Sequence, residues 1–328
     1  VPTKTKTLNL LQNLLKAFVL GLLIIFIWLK LYEQSSSIEE VGATLRKSFF
    51  EGDGILLLSI ILLLVPANWL LEAAKWRLVS SPIEQLSLGS ALRGVLTGLA
   101  LGFITPHAWG DYAGRIWHME KAERKYALAS VLMARASQMA VTLLFGLPGL
   151  FYLLRVEVLG TYYPPALFTL LIVSMAVGIP CALLFANSLV QKLKSRFSSF
   201  SWFAYILPLQ HISTTITFKL LGLSFIRYLC FSFQFLLMLK LFGIDLPLST
   251  QAMGIGFVYL AKSIIPAFNF LSDLGVREFS ALLFFEHTGA AAGLMVSASL
   301  AIWIFNILIP TIPGAFYIFR MKILAPKP

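Results

Sequence analysis

Charge is scarce in this chain. Only 12% of its 328 residues are Asp, Glu, Lys or Arg, about half of what a soluble domain of that size spreads over its surface. Acid is the scarcer sign, with 15 Asp and Glu against 26 Lys and Arg. Cysteine is nearly missing: Cys181 and Cys230 both sit inside apolar runs, so they outline neither a disulfide framework nor a thiolate metal site. His107, His118 and His287 lack ligand spacing, which leaves no metal set. There is no G-x-S-x-G, no Walker loop and no H-E-x-x-H, so no cofactor is expected. Long polar stretches are lacking as well, and with them any place for a soluble catalytic domain. Soluble globular and disordered classes are excluded.

What fills the chain instead is hydrocarbon. Hydrophobic residues make up 58%, the mean hydropathy is +0.84, and Phe (27) and Trp (7) are abundant. Apolar segments recur at Leu14–Leu31, Ile55–Leu71, Leu88–Ile104, Tyr126–Leu154, Pro164–Phe185, Phe225–Phe242, Gln251–Ile265 and Gly289–Phe319. A run of about 20 residues at 1.5 Å per residue crosses a hydrocarbon core of about 30 Å. The expected class is an all-α polytopic membrane protein, with residues 1–328 as a single integral membrane domain. Lys4 and Lys6 ahead of the first apolar run resemble a signal peptide, but Leu31-Tyr32-Glu33-Gln34 is no small-residue cleavage site, so the run reads as a first span. The formal charge of +11 is scattered between apolar runs, which fits basic cytoplasmic loops and not nucleic acid.

Two segments are short and broken. Leu88–Ile104 runs into Thr105-Pro106-His107-Ala108-Trp109-Gly110-Asp111, and Gln251–Ile265 runs into Pro266 and a polar stretch, Asn269–Gly275. The expected helix breaks are Pro106, Gly110, Pro266 and Gly275. Short, Gly/Pro-interrupted segments at matching places in two halves point to discontinuous helices around a binding site. If both are re-entrant hairpins, both termini and the clusters at Lys75–Arg77, Lys121–Lys125 and Lys192–Arg196 face the cytoplasm, leaving Lys30, Arg46, Lys47, Arg155 and Lys240 outside. The positive-inside rule favours that arrangement. The expectation is about six full spans plus two hairpins in an inverted repeat, or about eight spans if the hairpins cross, with halves near 1–160 and 161–328. Gln34–Asp53 reads as an outer loop. Ser198–Leu220 carries an apolar stripe and reads as an interfacial segment.

Ionisable groups at membrane depth cost about 2.5–3.5 kcal/mol each on insertion scales, so they require partners or a wet cavity. The candidates are Arg93, Asp111, Arg115, Arg135, Lys262, Asp273, Arg277, Glu278 and Glu286. Arg135 lies about 14 Å into its helix, and Glu278 is the first choice for its partner, Asp111 the second. The same groups read either as structural ion pairs or as an anion-accepting cavity, in which arginine forks and half-helix ends after Pro106 and Asp273 meet a phosphate. Glu72 and Lys75 read chiefly as part of a tryptophan-anchored helix end.

Asn68…Lys75-Trp76-Arg77, Pro106…Gly110-Asp111…Gly114-Arg115, Arg135, and Pro266…Gly275-Val276-Arg277-Glu278 stand in one order along the chain. Together they resemble the flippase-like family typified by the membrane region of lysylphosphatidylglycerol synthase, without its synthase domain. One departure is Ser272-Asp273-Leu274-Gly275, where the family pattern has Gly-Gly-x-Gly. The resemblance implies a non-enzymatic flippase or scramblase in a bacterial cytoplasmic membrane, moving a phospholipid or polyprenyl-linked headgroup. Two alternatives remain open: a non-catalytic partner of a lipid- or glycan-synthesis complex, and a membrane-embedded transferase using Asp111 with His107. The expected partners are membrane lipid and, further, a second copy of the chain or a lipid-synthesis enzyme.

Overall fold

A computed structural model describes residues 14, 17, 18, 21, 25, 35–50, 52–105, 109–119, 124–155, 165–197, 200, 203–265 and 270–320. The described elements are all helical. They are α1 (Ser35–Phe50), α2 (Gly54–Ser80), α3 (Leu88–Ile104), α4 (Trp109–Trp117), α5 (Arg124–Leu154), α6 (Pro165–Leu184), α7 (Ala186–Phe197), α8 (Thr214–Leu241), α9 (Leu248–Ile264), α10 (Phe270–Phe285), α11 (Ala292–Trp303) and α12 (Ile309–Arg320). Short turns Phe203–Ile206 and Leu207–His211 precede α8, and a π-helical stretch, Ile304–Leu308, joins α11 to α12.

Among the described residues four helices are long and apolar enough to cross a membrane: α2, α5, α8 and the continuous α11–α12. A fifth arises if α6 and α7, bent by 71°, count as one span. The chain is an integral membrane protein. Its long helices turn leucine and phenylalanine outward, as at Leu63, Leu170, Phe218 and Phe316, because lipid tails solvate these side chains as well as a protein interior does. Pro66, Pro148, Pro180 and Pro313 sit inside helices, a tolerance that neighbouring helices confer in bilayers.

The two broken segments fold as antiparallel helical hairpins, and glycine decides how closely. A Cβ at Gly114 would fall on the backbone of Gly98 and Thr97, and one at Gly110 on the carbonyl of Leu101. So α4 lies backbone to backbone against α3, the approach that small residues permit. Thr105 pins the turn: its hydroxyl donates to the Leu101 carbonyl at 2.9 Å and accepts from the Gly110 amide at 2.7 Å. In the second hairpin a Cβ at Gly254 would meet the rings of Phe284 and Phe285, and the Phe257 ring lies 5.9 Å from Phe284, tilted by 31°.

Packing is reciprocal between the halves. Helices α2 and α8 lie against each other, the α3 arm of the first hairpin packs on α12, and the α9 arm of the second packs on α5. Glycines carry both outer contacts: Gly314 against Leu96, and Gly146, Gly149 and Gly256 between α5 and α9.

Three expectations are corrected. Gln34–Asp53 is not a loop but largely helix α1, whose Glu40 accepts a hydrogen bond from Ser297. The Ser198–Leu220 stripe does not form a separate interfacial helix, because Ser213 caps α8 by accepting from the Ile216 amide at 3.3 Å, and the helix then runs unbroken to Leu241. Gly275 is no helix break. Helix α10 starts at Phe270, ahead of Asp273, and passes straight through it. Pro106 and Pro266, the latter in the break of the second hairpin, lie outside the described residues, as does most of Leu14–Leu31.

Candidate functional site

Helices α2, α4, α5 and α8 converge on one buried carboxylate. Glu72 projects from α2, where it would be untenable in hydrocarbon without countercharge. It receives Arg115 of α4 at 2.8 Å, Arg227 of α8 at 3.2 Å and Lys75, one turn along its own helix, at 3.3 Å. The amide oxygen of Gln138 on α5 accepts from Lys75 at 2.9 Å and from Arg227 at 3.3 Å. Glu72, Lys75 and Arg115 are all buried.

Asp111 forms a second centre beside the first. Its two oxygens are divided between Arg115 Nε at 2.9 Å and an Arg135 terminal nitrogen at 2.7 Å. Arg115 therefore bridges the two carboxylates through Nε and one terminal nitrogen, backed by the Trp76 ring at 5.9 Å. The expected pairing of Arg115 with Asp111 is present, and Glu72 adds a second carboxylate. Arg135 is different: its guanidinium stacks at 4.3 Å on the Tyr112 ring, holds Asp111 by one nitrogen, and leaves its side chain 39% exposed. Of the two acids expected for Arg135, the second choice, Asp111, makes the pair and Glu278 does not. Helix α4 explains why, since its first turn places Asp111 opposite the middle of α5 while Glu278 sits on the other hairpin.

Among the described residues, Lys75, Arg115, Arg135 and Arg227 of this cluster face Glu72 and Asp111, so cations outnumber carboxylates there. An apolar interior strengthens each of these pairings.

A cavity of about 140 Å³ adjoins the cluster, lined by Arg227, Lys262 and Arg277, with the amides of Asn68, Gln138 and Asn306 among its polar groups. Among the described residues no carboxylate lines it. The amides form their own chain: Asn306 donates to Gln234 at 2.7 Å and accepts from Asn68 at 3.3 Å, while Trp69 Nε1 donates to the Asn306 carbonyl at 3.1 Å. That carbonyl lies in the π-helical stretch, where the widened turn frees backbone acceptors.

The expected site residues thus separate. Asp111, Arg115 and Arg135 meet in the cluster; Lys262 and Arg277 line the cavity; Glu278 is buried on α10 beside Arg277. Arg93 is exposed on α3 and Glu286 is exposed beyond α10; neither pairs in the cluster or lines the cavity among the described residues. Asp273 falls in α10, and its side chain lies outside the described residues. Sequence reasoning missed Arg227 and gave Glu72 too small a part. The signal for Arg227 was present, an arginine just inside the start of the Phe225–Phe242 run.

The sequence pattern of the lysylphosphatidylglycerol synthase TM region matches residues 13–314. The chain belongs to that family. No curated protein and no solved structure matches it significantly. Family membership ties the membrane bundle to lipid metabolism, and the cation-rich centre lies within the matched span.

Proposed function

We propose that the chain moves the headgroup of an anionic lipid, a phospholipid or a polyprenyl-linked lipid, between leaflets without chemical change to it. The observation that carries this reading is the surplus of cations over carboxylates inside an integral membrane bundle. A phosphate is the anion that lipids bring to such a depth, and arginine binds it through parallel N–H bonds. Arg135, half-exposed on Tyr112, is the first contact; Arg227, Lys262 and Arg277 around the cavity are the next. Arg115 holds the frame. The cavity is too small for a whole lipid, so the acyl chains stay in the bilayer.

The hairpins are read as re-entrant from opposite faces in an inverted repeat, with both termini in the cytoplasm of a bacterial cell. The reciprocal packing of each hairpin on the last helix of the other half supports this. A transferase is the weaker reading: Asp111, its candidate base, has both oxygens engaged by arginines.

The test is reconstitution with fluorescent phosphatidylglycerol and a membrane-impermeant quencher. Arg135→Gln should slow lipid movement at least about tenfold, and Arg135→Lys should rescue poorly because an ammonium cannot form the fork. If Arg135→Gln and Arg277→Gln both move lipid at the parent rate, the cluster is structural and the reading fails.

A further inference from the structure

A second cavity, of about 850 Å³, opens where the end of α2 and the start of α8 come together. Its walls are Arg77 and Leu78 of α2, Ser81 at the C-cap of that helix, and Lys219, Leu223 and Ile226 of α8, with the α2–α3 turn closing one end. The size falls within the roughly 300–1,000 Å³ of small-molecule sites, unlike the small central cavity. Among the described residues its charged lining groups are Arg77 and Lys219, with no carboxylate. Both cations are exposed and neither is spent in an ion pair among the described residues.

Position makes this a lipid groove and not a pocket for a soluble anion. Ser81 at the C-terminal end of α2, Ser87 capping the start of α3 and Lys219 in the second turn of α8 all line this one cavity, which therefore sits at helix ends. Helices α2 and α8 are both long enough to cross, and their ends mark a membrane–water boundary. Lining positions Lys219, Gly222, Leu223 and Ile226 follow helical spacing, and beside them runs a lipid-facing stripe of Phe218 (69% exposed), Phe225 (40%) and Leu229 (46%). The groove therefore has cations at its polar end and leucine and isoleucine leading toward hydrocarbon.

We propose that this groove is a docking site for an anionic phospholipid, its phosphate between Arg77 and Lys219 and one acyl chain along Leu78, Leu86, Leu223 and Ile226. The assignment extends the transport reading, and rests on it only for what the lipid does next. Farther along the same helices, turned away from the groove face, Glu72 lies about 7.5 Å from Arg77 on α2 and Arg227 about 12 Å from Lys219 on α8. The Glu72–Arg227 bridge at 3.2 Å ties the two helices together beyond the groove.

The experiment uses the full chain in phosphatidylcholine nanodiscs carrying a small fraction of phosphatidylglycerol with a diazirine in one acyl chain. Adducts are mapped by mass spectrometry after illumination. The parent should be labelled at Leu78, Leu86, Leu223 or Ile226 well above the bilayer background read at Leu170 and Leu171 of α6. Arg77→Gln with Lys219→Gln should lower groove labelling at least about fivefold and leave α6 unchanged. Unlabelled phosphatidylglycerol should compete, and unlabelled phosphatidylcholine should not. Labelling by diazirine phosphatidylcholine equal to that by phosphatidylglycerol, or a double variant labelled like the parent, overturns the proposal. Loss of labelling with free glycerol phosphate also overturns it, by making the groove a soluble-phosphate site. Should the double variant fail to fold, the competition on unaltered protein decides. Docking is read without translocation, so an Arg135→Gln protein that moves no lipid should still label its groove; that result separates failure of this assignment from failure of the transport reading.

Discussion

Replacing Glu72 by Gln keeps shape and removes one charge, and the structure sets the size of the result. Three cations lie within 3.3 Å of the carboxylate, at 2.8, 3.2 and 3.3 Å. Arg115 retains Asp111, and Lys75 and Arg227 retain Gln138, so the protein should still fold. But four buried or half-buried cations would then face one acid. Removing one partner from a buried pair costs about 3–5 kcal/mol, and at roughly 2–3 °C per kcal/mol the melting point should fall by about 10 °C. The assay is thermal melting of the detergent-solubilised protein followed by size-exclusion chromatography. Glu286→Gln, at an exposed acid, should melt with the parent. Glu72→Gln combined with Arg227→Gln should recover part of the loss, since one uncompensated cation is gone and contacting residues are non-additive. A Glu72→Gln protein melting within about 2 °C of the parent would refute the argument, as would a double variant no better than the single.

Arg115→Leu should destabilise more than Arg135→Leu in the same melting assay, because the first strips countercharge from two buried carboxylates and the second frees only one oxygen of Asp111. Gly114→Ala should abolish monodisperse expression, since its Cβ meets the backbone of Gly98; Gly275→Ala meets nothing within 4 Å in mid-helix and should raise stability by about 0.5–1 kcal/mol. Single cysteines at Lys121 and at Ser195, in a background free of Cys181 and Cys230, should react with impermeant maleimide only from the cytoplasmic face. Labelling of the Lys121 position from outside would remove the re-entrant hairpin.

Helix positions were legible where hydropathy alone decides them. Leu88–Ile104 came out residue for residue, and α5 and α9 nearly so. Helix α1 was not legible, because Ser- and Glu-rich composition resembles a loop until Glu40 finds Ser297 on a distant helix. In the same way α8 begins in Ser and Thr, and only its cap at Ser213 joins that polar start to the apolar run behind it. The site divides along the same line. A charge in an apolar run announces that it needs a partner, which is why Asp111, Arg115 and Arg135 could be named. The identity of the partner belongs to tertiary packing, so Asp111 took the place expected for Glu278. The amides Gln138, Gln234 and Asn306 carry no charge and gave no comparable signal, yet they order the inner wall of the cavity.

The glycine contacts divide the bundle into parts that differ in how they can move. Side-chain layers between helices allow sliding, but Gly98 against Gly114 and Gly314 against Leu96 leave no such layer, so α3, α4 and α12 travel as one arm. Gly146, Gly149 and Gly256 fuse α5 and α9 into a second arm in the same manner. Besides the chain that links α4 to α5, the arms meet through side-chain contacts such as Arg135 to Asp111. An arginine fork can pass from one oxygen donor to another without a change in backbone. The rigid joints therefore confine displacement to the seam where the exchangeable ion pairs lie, and a phosphate that takes over one of those forks loosens the arms at the place where it is held.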